Sequence, residues 1–160
     1  MSRKTKHTAN ASGAELTDEQ IRAEEKFLKG VPRVNIAAFL MPAIWGPAHG
    51  IWVTILYYPL WLLADNCFVG AFVARTPLSI AFAVLVAVAL FAMTLAFSII
   101  SQPLALHRAV DMGMSKETYL RRQRIWAIAM AIVVVVALSA ATYYNLCINP
   151  EMLAAMQAHA

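Results

Sequence analysis

The chain predicts an all-α integral membrane protein with three transmembrane helices, the first broken at a Gly-Pro-x-His-Gly segment, and an N-terminal amphipathic surface helix. Three observations predict it. Of its 160 residues 61% are hydrophobic and only 14% charged, whereas a soluble domain carries about 45–50% apolar and about 25% charged residues. The apolar residues fall in long runs parted by short polar stretches. The 13 Lys and Arg residues gather at the ends of those runs, as topology signals do. Disorder, a collagen-like chain and a disulfide-dense secreted scaffold are excluded by the same composition. The formal charge of +4 therefore points to membrane lipids as partners and not to nucleic acid.

Residues 1–14 are small, polar and basic and predict a disordered basic tail. No apolar stretch of signal-peptide length follows them, so the tail is expected to stay attached. Residues 15–33 predict a cytoplasmic surface helix. Thr17 caps it, Gln20 completes a capping box and Leu16 staples onto Ile21. Asp18 and Glu19 suit the positive helix start, Lys26 and Lys29 its end, and Gly30 with Pro32 stops it.

The membrane domain is expected over residues 34–150. Its first span, about residues 35–64, contains Pro42, Gly46, Pro47, Gly50 and Pro59, too many interruptions for one straight helix. The break is set at Gly46-Pro47-Ala48-His49-Gly50. The piece before it has about 11 residues and rises about 17 Å, too short for a core of about 30 Å. It lies at the interface or forms half of a broken span. Residues 67–74 read as a short apolar loop or re-entrant turn. Residues 78–100 form the second span, with Pro103 just past it. Residues 104–124 read as a mixed-charge loop in which Ser115 caps a helix starting near Lys116. The third span covers residues 125–147, and residues 151–160 form a short external tail, weakly helical or disordered. Small residues four apart (Ser79/Ala83/Ala87, Ala92/Ala96, Ala127/Ala131 and Ala137/Ala141) are expected to pack the second and third spans on each other.

Seven Lys and Arg precede Val34, one (Arg75) follows the first span, five lie between the second and third spans, and none follows the third. That bias sets the N-terminus in the cytoplasm and the C-terminus outside.

His49 lies in the break at membrane depth, where an unpaired polar group is costly and a functional candidate by default. Asp65 would partner it if the segment folds back, and otherwise rests at the outer interface. Cys67 and Cys147 fall at the outer ends of their segments, where an oxidising exterior permits one disulfide; unpaired, they pack as small hydrophobes. His107 and Asp111 stand one turn apart without a third ligand at metal spacing, so they read as an interfacial turn. Arg121, Arg122 and Arg124 read as lipid-headgroup anchors. No motif for catalysis, a metal or a cofactor is expected.

The run Val34-Asn35-Ile36-Ala37-Ala38-Phe39-Leu40-Met41-Pro42-Ala43-Ile44-Trp45-Gly46 resembles the opening of small bacterial integral-membrane proteins of unknown function. Their usual form is Asn-Trp-x-Ala-Phe, then x-x-x-Ile-Trp-Gly and a His or Asn before another Trp. His49 and Trp52 match that continuation, and Tyr119-Leu120-x-x-Gln123-x-Ile125-Trp126 is similar to the start of the family's final span. Ile36 stands where the family has Trp. The resemblance implies a small bacterial inner-membrane protein with no catalytic residues to carry over.

Charge-free second and third spans and a basic cytoplasmic side lead to the expectation of a non-catalytic accessory or structural subunit. It would pack against another membrane protein or itself. The alternative is an oligomeric small transporter or channel whose broken first span around His49 lines the path.

Overall fold

The computed structural model describes residues 17–158, so the expected tail at residues 1–14 and the Leu16 staple lie outside the described residues. Two compact units divide at Val31. In the first, α1 (Asp18–Leu28) carries the expected capping box: the Thr17 hydroxyl accepts from the Gln20 backbone at 3.3 Å, and the Gln20 side chain accepts from the Thr17 backbone at 2.9 Å. Gly30, at φ +82, ends the turn that follows. No residue of α1 is buried.

The second unit holds six α-helices among the described residues: α2 (Ile36–Leu40), α3 (Pro42–Ala48), α4 (Tyr57–Ala74), α5 (Pro77–Asp111), α6 (Lys116–Cys147) and α7 (Pro150–Ala158). No strand occurs among the described residues. Three stretches are long and apolar enough to cross a membrane: Trp52–Ala74, Pro77–Asp111 and Lys116–Cys147. A 3-10 turn, Trp52–Leu56, leads into α4.

The first span is therefore not residues 35–64. Residues 36–48 instead form a pair of short helices that runs along α5 and turns back. Asn35 caps α2 with its side chain, and its backbone N–H donates to the Ser98 carbonyl of α5 at 3.1 Å. Further along, the Phe39 ring meets Phe91 edge-on at 5.8 Å. Ser98 and Phe91 are seven residues apart on α5, so the segment descends by about 10 Å. Pro42 then stops α2, because the residue before a proline is pushed out of the helical region; Met41 sits at φ −140 and Pro42 opens α3. The chain climbs back past Phe97, 6.3 Å from Trp45, to His49, whose carbonyl meets Arg108.

A glycine turn makes the exit. Ile51 N–H donates to Gly46 O at 2.8 Å and Gly50 N–H to Pro47 O at 3.0 Å, the paired bonds of a Schellman motif. Its left-handed position is Gly50, at φ +80. The expected break thus exists, but it separates a re-entrant pair from the spanning helix and does not divide one span into halves.

Other boundaries also move. Residues 67–74 are not a loop; they complete α4, which ends at Arg75 in the left-handed region. Pro103 lies inside α5, not beyond it, and removes one backbone donor there. The expected loop over residues 104–124 shrinks to the turn between Asp111 and Lys116. Met114 N–H donates to Ala109 O at 2.9 Å and Gly113 N–H to Val110 O at 2.8 Å, a second Schellman motif, and the Ser115 hydroxyl then caps α6 as expected. The tail is helical as α7, with Met152 and Ala155 buried against α4 and α6.

The core sits at the charged end of this bundle and not at its middle. Only 11%, 6% and 6% of the most apolar windows of the three spans are buried, whereas Ala38, Trp45, Ser98 and Leu106 are fully enclosed. The small-residue faces do not join α5 to α6: α2 packs against both helices, and Ala131, Ala137 and Ala141 are exposed.

Gly46 permits the tightest of these approaches, since a Cβ there would fall on the Thr54 hydroxyl. Gly46→Ala is expected to destabilise by about 1–3 kcal/mol through overpacking, read as a lowered melting midpoint in detergent. Adding Thr54→Ala should recover part of the loss; a double variant no better than Gly46→Ala alone refutes this contact.

Candidate functional site

Six side chains from four elements meet at the charged end: Asn35, Trp45, His49, Gln102, Tyr119 and Gln123. Their directions follow from groups that have one role only. Trp45 Nε1–H can only donate, so the atom of Gln123 lying 3.0 Å away is Oε1. The Gln123 NH2 group then faces His49 and donates to Nε2 at 3.0 Å. His49 Nε2 is therefore unprotonated, and Nδ1–H donates to the Trp45 carbonyl at 2.8 Å. On the other side, Ala38 N–H can only donate, which makes its partner Asn35 Oδ1, at 3.0 Å. Asn35 Nδ2 then has both hydrogens available for Gln102 Oε1 at 2.7 Å and Gln123 Oε1 at 3.2 Å. The Tyr119 hydroxyl reaches Gln102 Oε1 at 3.5 Å.

Asn35, Trp45, Gln102 and Tyr119 are each at most 3% exposed and Gln123 9%, so none of their polar atoms has an easy substitute in water. A buried donor or acceptor left unpaired costs about 1–3 kcal/mol, and the amide of Gln123 alone satisfies three neighbours. Stacking adds a second constraint. The His49 ring lies on Trp45 with centroids 4.0 Å apart and an interplanar angle of 16°, and Trp126 meets it at 5.4 Å and 66°.

The imidazole is thereby held neutral by geometry. A proton on Nε2 would point at the Gln123 NH2 group, and turning that amide over would set NH2 against the donors of Trp45 and Asn35. Burial acts in the same direction: it holds the His49 pKa below its ordinary value, opposed by the weaker effect of the hydrogen bond to Trp45. A cavity of about 310 Å³ borders this group, with Arg108 and Arg122 on its walls beside His49, Gly50, Gln123 and Trp126.

His49 and Asp65 are not brought together. His49 bonds to Gln123, whereas Asp65 Oδ1 accepts from Asn145 at 3.4 Å. Those two positions on α6 are 22 residues apart, about 33 Å along the helix. Asp65 belongs instead to a small set at the far end, where Asn149 donates to Asn145 at 3.2 Å. Cys67 and Cys147 are free thiols. Each lies two residues beyond the Asp65–Asn145 contact, a rotation of about 200°, so both thiols turn away from that contact. Arg121, Arg122 and Arg124 are all exposed; of the three, only Arg122 lines the cavity. Among the described residues no cluster of three or more His, Cys, Asp or Glu is suited to a metal.

From the sequence His49 could be singled out, but not its partners. Asn35, Trp45, Tyr119 and Gln123 entered only as carriers of a resemblance, and Gln102 drew no notice. The available signal was an isolated amide at the edge of each apolar run, since a membrane-embedded amide needs a partner. Comparisons with protein-family models, curated proteins and solved structures found no match to this chain.

Acid is expected to loosen the site. A native imidazole held below the ordinary 6.5 binds fewer protons than the unfolded chain, so stability is complete above that value and declines as pH falls below it. The melting midpoint in detergent should therefore drop between about pH 8 and pH 5. His49→Phe keeps an aromatic ring without the titration and should flatten that dependence; parallel profiles for the two proteins would exclude His49 as the cause.

Proposed function

We propose that this small integral membrane protein is a non-catalytic accessory or structural subunit that packs against a membrane partner. The observation that carries this reading is a division of labour along its length. At one end, side-chain donors and acceptors are consumed in a closed internal network. Along the rest, few residues in the most apolar windows of the three spans are fully buried (11%, 6% and 6%). A polar clamp at one end, beside apolar faces left largely uncovered, suits a part of a larger assembly, with lipid covering whatever the partner leaves.

The second reading is an oligomeric small transporter or channel with the segment around His49 lining the path. What favours it is the re-entrant pair itself, because backbone that turns at membrane depth is tolerated where it is buried in protein or lines a cavity. Extraction in a mild detergent, followed by mass measurement of the intact complex, separates the two. The subunit reading expects a different chain at fixed stoichiometry. A homo-oligomer whose ion flux or uptake is altered by His49→Ala would replace it with the second reading, and a lone monomer would refute both.

We also propose that the N-terminus is cytoplasmic and the C-terminus external. The re-entrant pair enters and leaves at the end where α5 meets α6. That parity supports grouping Arg33 with Arg108, Lys116, Arg121, Arg122 and Arg124 on one side, the pattern expected of cytoplasmic segments. A membrane-impermeant maleimide is expected to label exposed Cys147 on intact, reduced cells; labelling only after lysis reverses the orientation.

A further inference from the structure

The cavity at the charged end is the part of this region that the hydrogen-bond network leaves open. Its volume of about 310 Å³ lies at the low end for ligand sites, about 300–1,000 Å³, so it suits one small polar group. Arg108 and Arg122 both border it, and no Asp or Glu is among its lining residues. His49 adds no charge to the site, since the network holds it neutral.

Arg108 is positioned by the turn that ends the re-entrant pair. Its Nη1 donates to the carbonyls of His49 and Gly50 at 3.4 and 3.5 Å. Glycine suits position 50, since its φ of +80 is one that L side chains rarely adopt and a Cβ there would displace the guanidinium. Both arginines are exposed, so water screens their mutual repulsion, and an anion in the cavity would meet a cation from each of the two helices. Guanidinium groups match the oxygens of phosphate in bidentate fashion. The location selects phosphate over other anions, because α5 and α6 pass here from their apolar stretches to their charged ends, the level at which anionic lipid headgroups lie.

We propose that Arg108 and Arg122 form a specific phosphate-binding site at the membrane border, occupied by the phosphate of an anionic lipid headgroup or by free phosphate. Both sources present the same oxygens to the same forks. The site differs from diffuse attraction to a charged surface in using Arg108, and in leaving out Arg121 and Arg124, which do not line the cavity. It stands whether or not the spans meet a protein partner.

The test uses the full chain, delipidated in a mild detergent and titrated with phosphatidylglycerol, with diacylglycerol of the same acyl chains, or with inorganic phosphate, and read by native mass spectrometry. One equivalent of phosphatidylglycerol is expected to bind. Arg108→Gln or Arg122→Gln should weaken it about tenfold or more, the worth of one charge-assisted hydrogen bond, while Arg121→Gln and Arg124→Gln leave it unchanged. Retention of the lipid against excess inorganic phosphate assigns the site to the headgroup. Displacement, or phosphate binding alone with the same dependence on Arg108 and Arg122, assigns it to free phosphate. Should Arg108→Gln fail to fold, Arg108→Lys keeps the charge without the fork and is read in its place beside Arg122→Gln. Equal binding of diacylglycerol, equal losses in all four arginine variants, or no binding of either phosphate compound overturns the proposal.

Discussion

The side-chain amide of Gln123 is the interaction on which the rest of the charged end depends. Its oxygen takes hydrogens from Trp45 and Asn35 and its nitrogen gives one to His49, so a single group on α6 fastens both arms of the re-entrant pair. Asn35 extends the hold to α5 through Gln102. In a low-dielectric surrounding such bonds are stronger than in water, and each missing partner costs correspondingly more. The network therefore acts as a registration device. Asn35 must cap α2, Met41–Pro42 must turn the chain and Gly50 must release it if all three contacts to Gln123 are to form together.

Concentrating the polar contacts at one end explains why the core is there too. Apolar side chains gain little by leaving lipid for one another, so α6 has no strong reason to close onto the mid-span of α4 and α5, although α4 lies along α5. At the charged end, close approach follows from small residues. Ala37, Ala38, Ala105 and Ala109 are buried, and Gly46 lets α3 lie against Thr54. The aromatic rings of Trp45, His49 and Trp126 then fill the space that remains. The cavity beside them is bordered by Arg108 and Arg122, which give it a chemical preference that the neutral network lacks.

The re-entrant pair also resolves a problem of parity. A chain that crossed the membrane both at residues 35–48 and at residues 52–74 would put the turn between α5 and α6 on the opposite side from Arg33. Turning back at Pro42 keeps Arg33 at the same end as that turn, as the proposed orientation requires.

The amino-acid sequence by itself determined the all-helical membrane class, the number of spans, the helix starts at Asp18 and Lys116 and the break before Ile51. These depend on local quantities: length and apolarity of a run, a capping hydroxyl, a proline that cannot donate and a glycine that can take positive φ. Tertiary structure decided what the short pieces do. Residues 35–45 read equally well as an interfacial helix or as half a span, because nothing local records whether the chain turns back at Pro42. The amide network around His49 was hidden for the same reason. Gln102 and Gln123 lie 53 and 74 residues further along the chain, and each alone looks like a polar residue at the end of a span. Only when α2 packs against both α5 and α6 do those amides lose water, and that loss of solvent makes them a single unit.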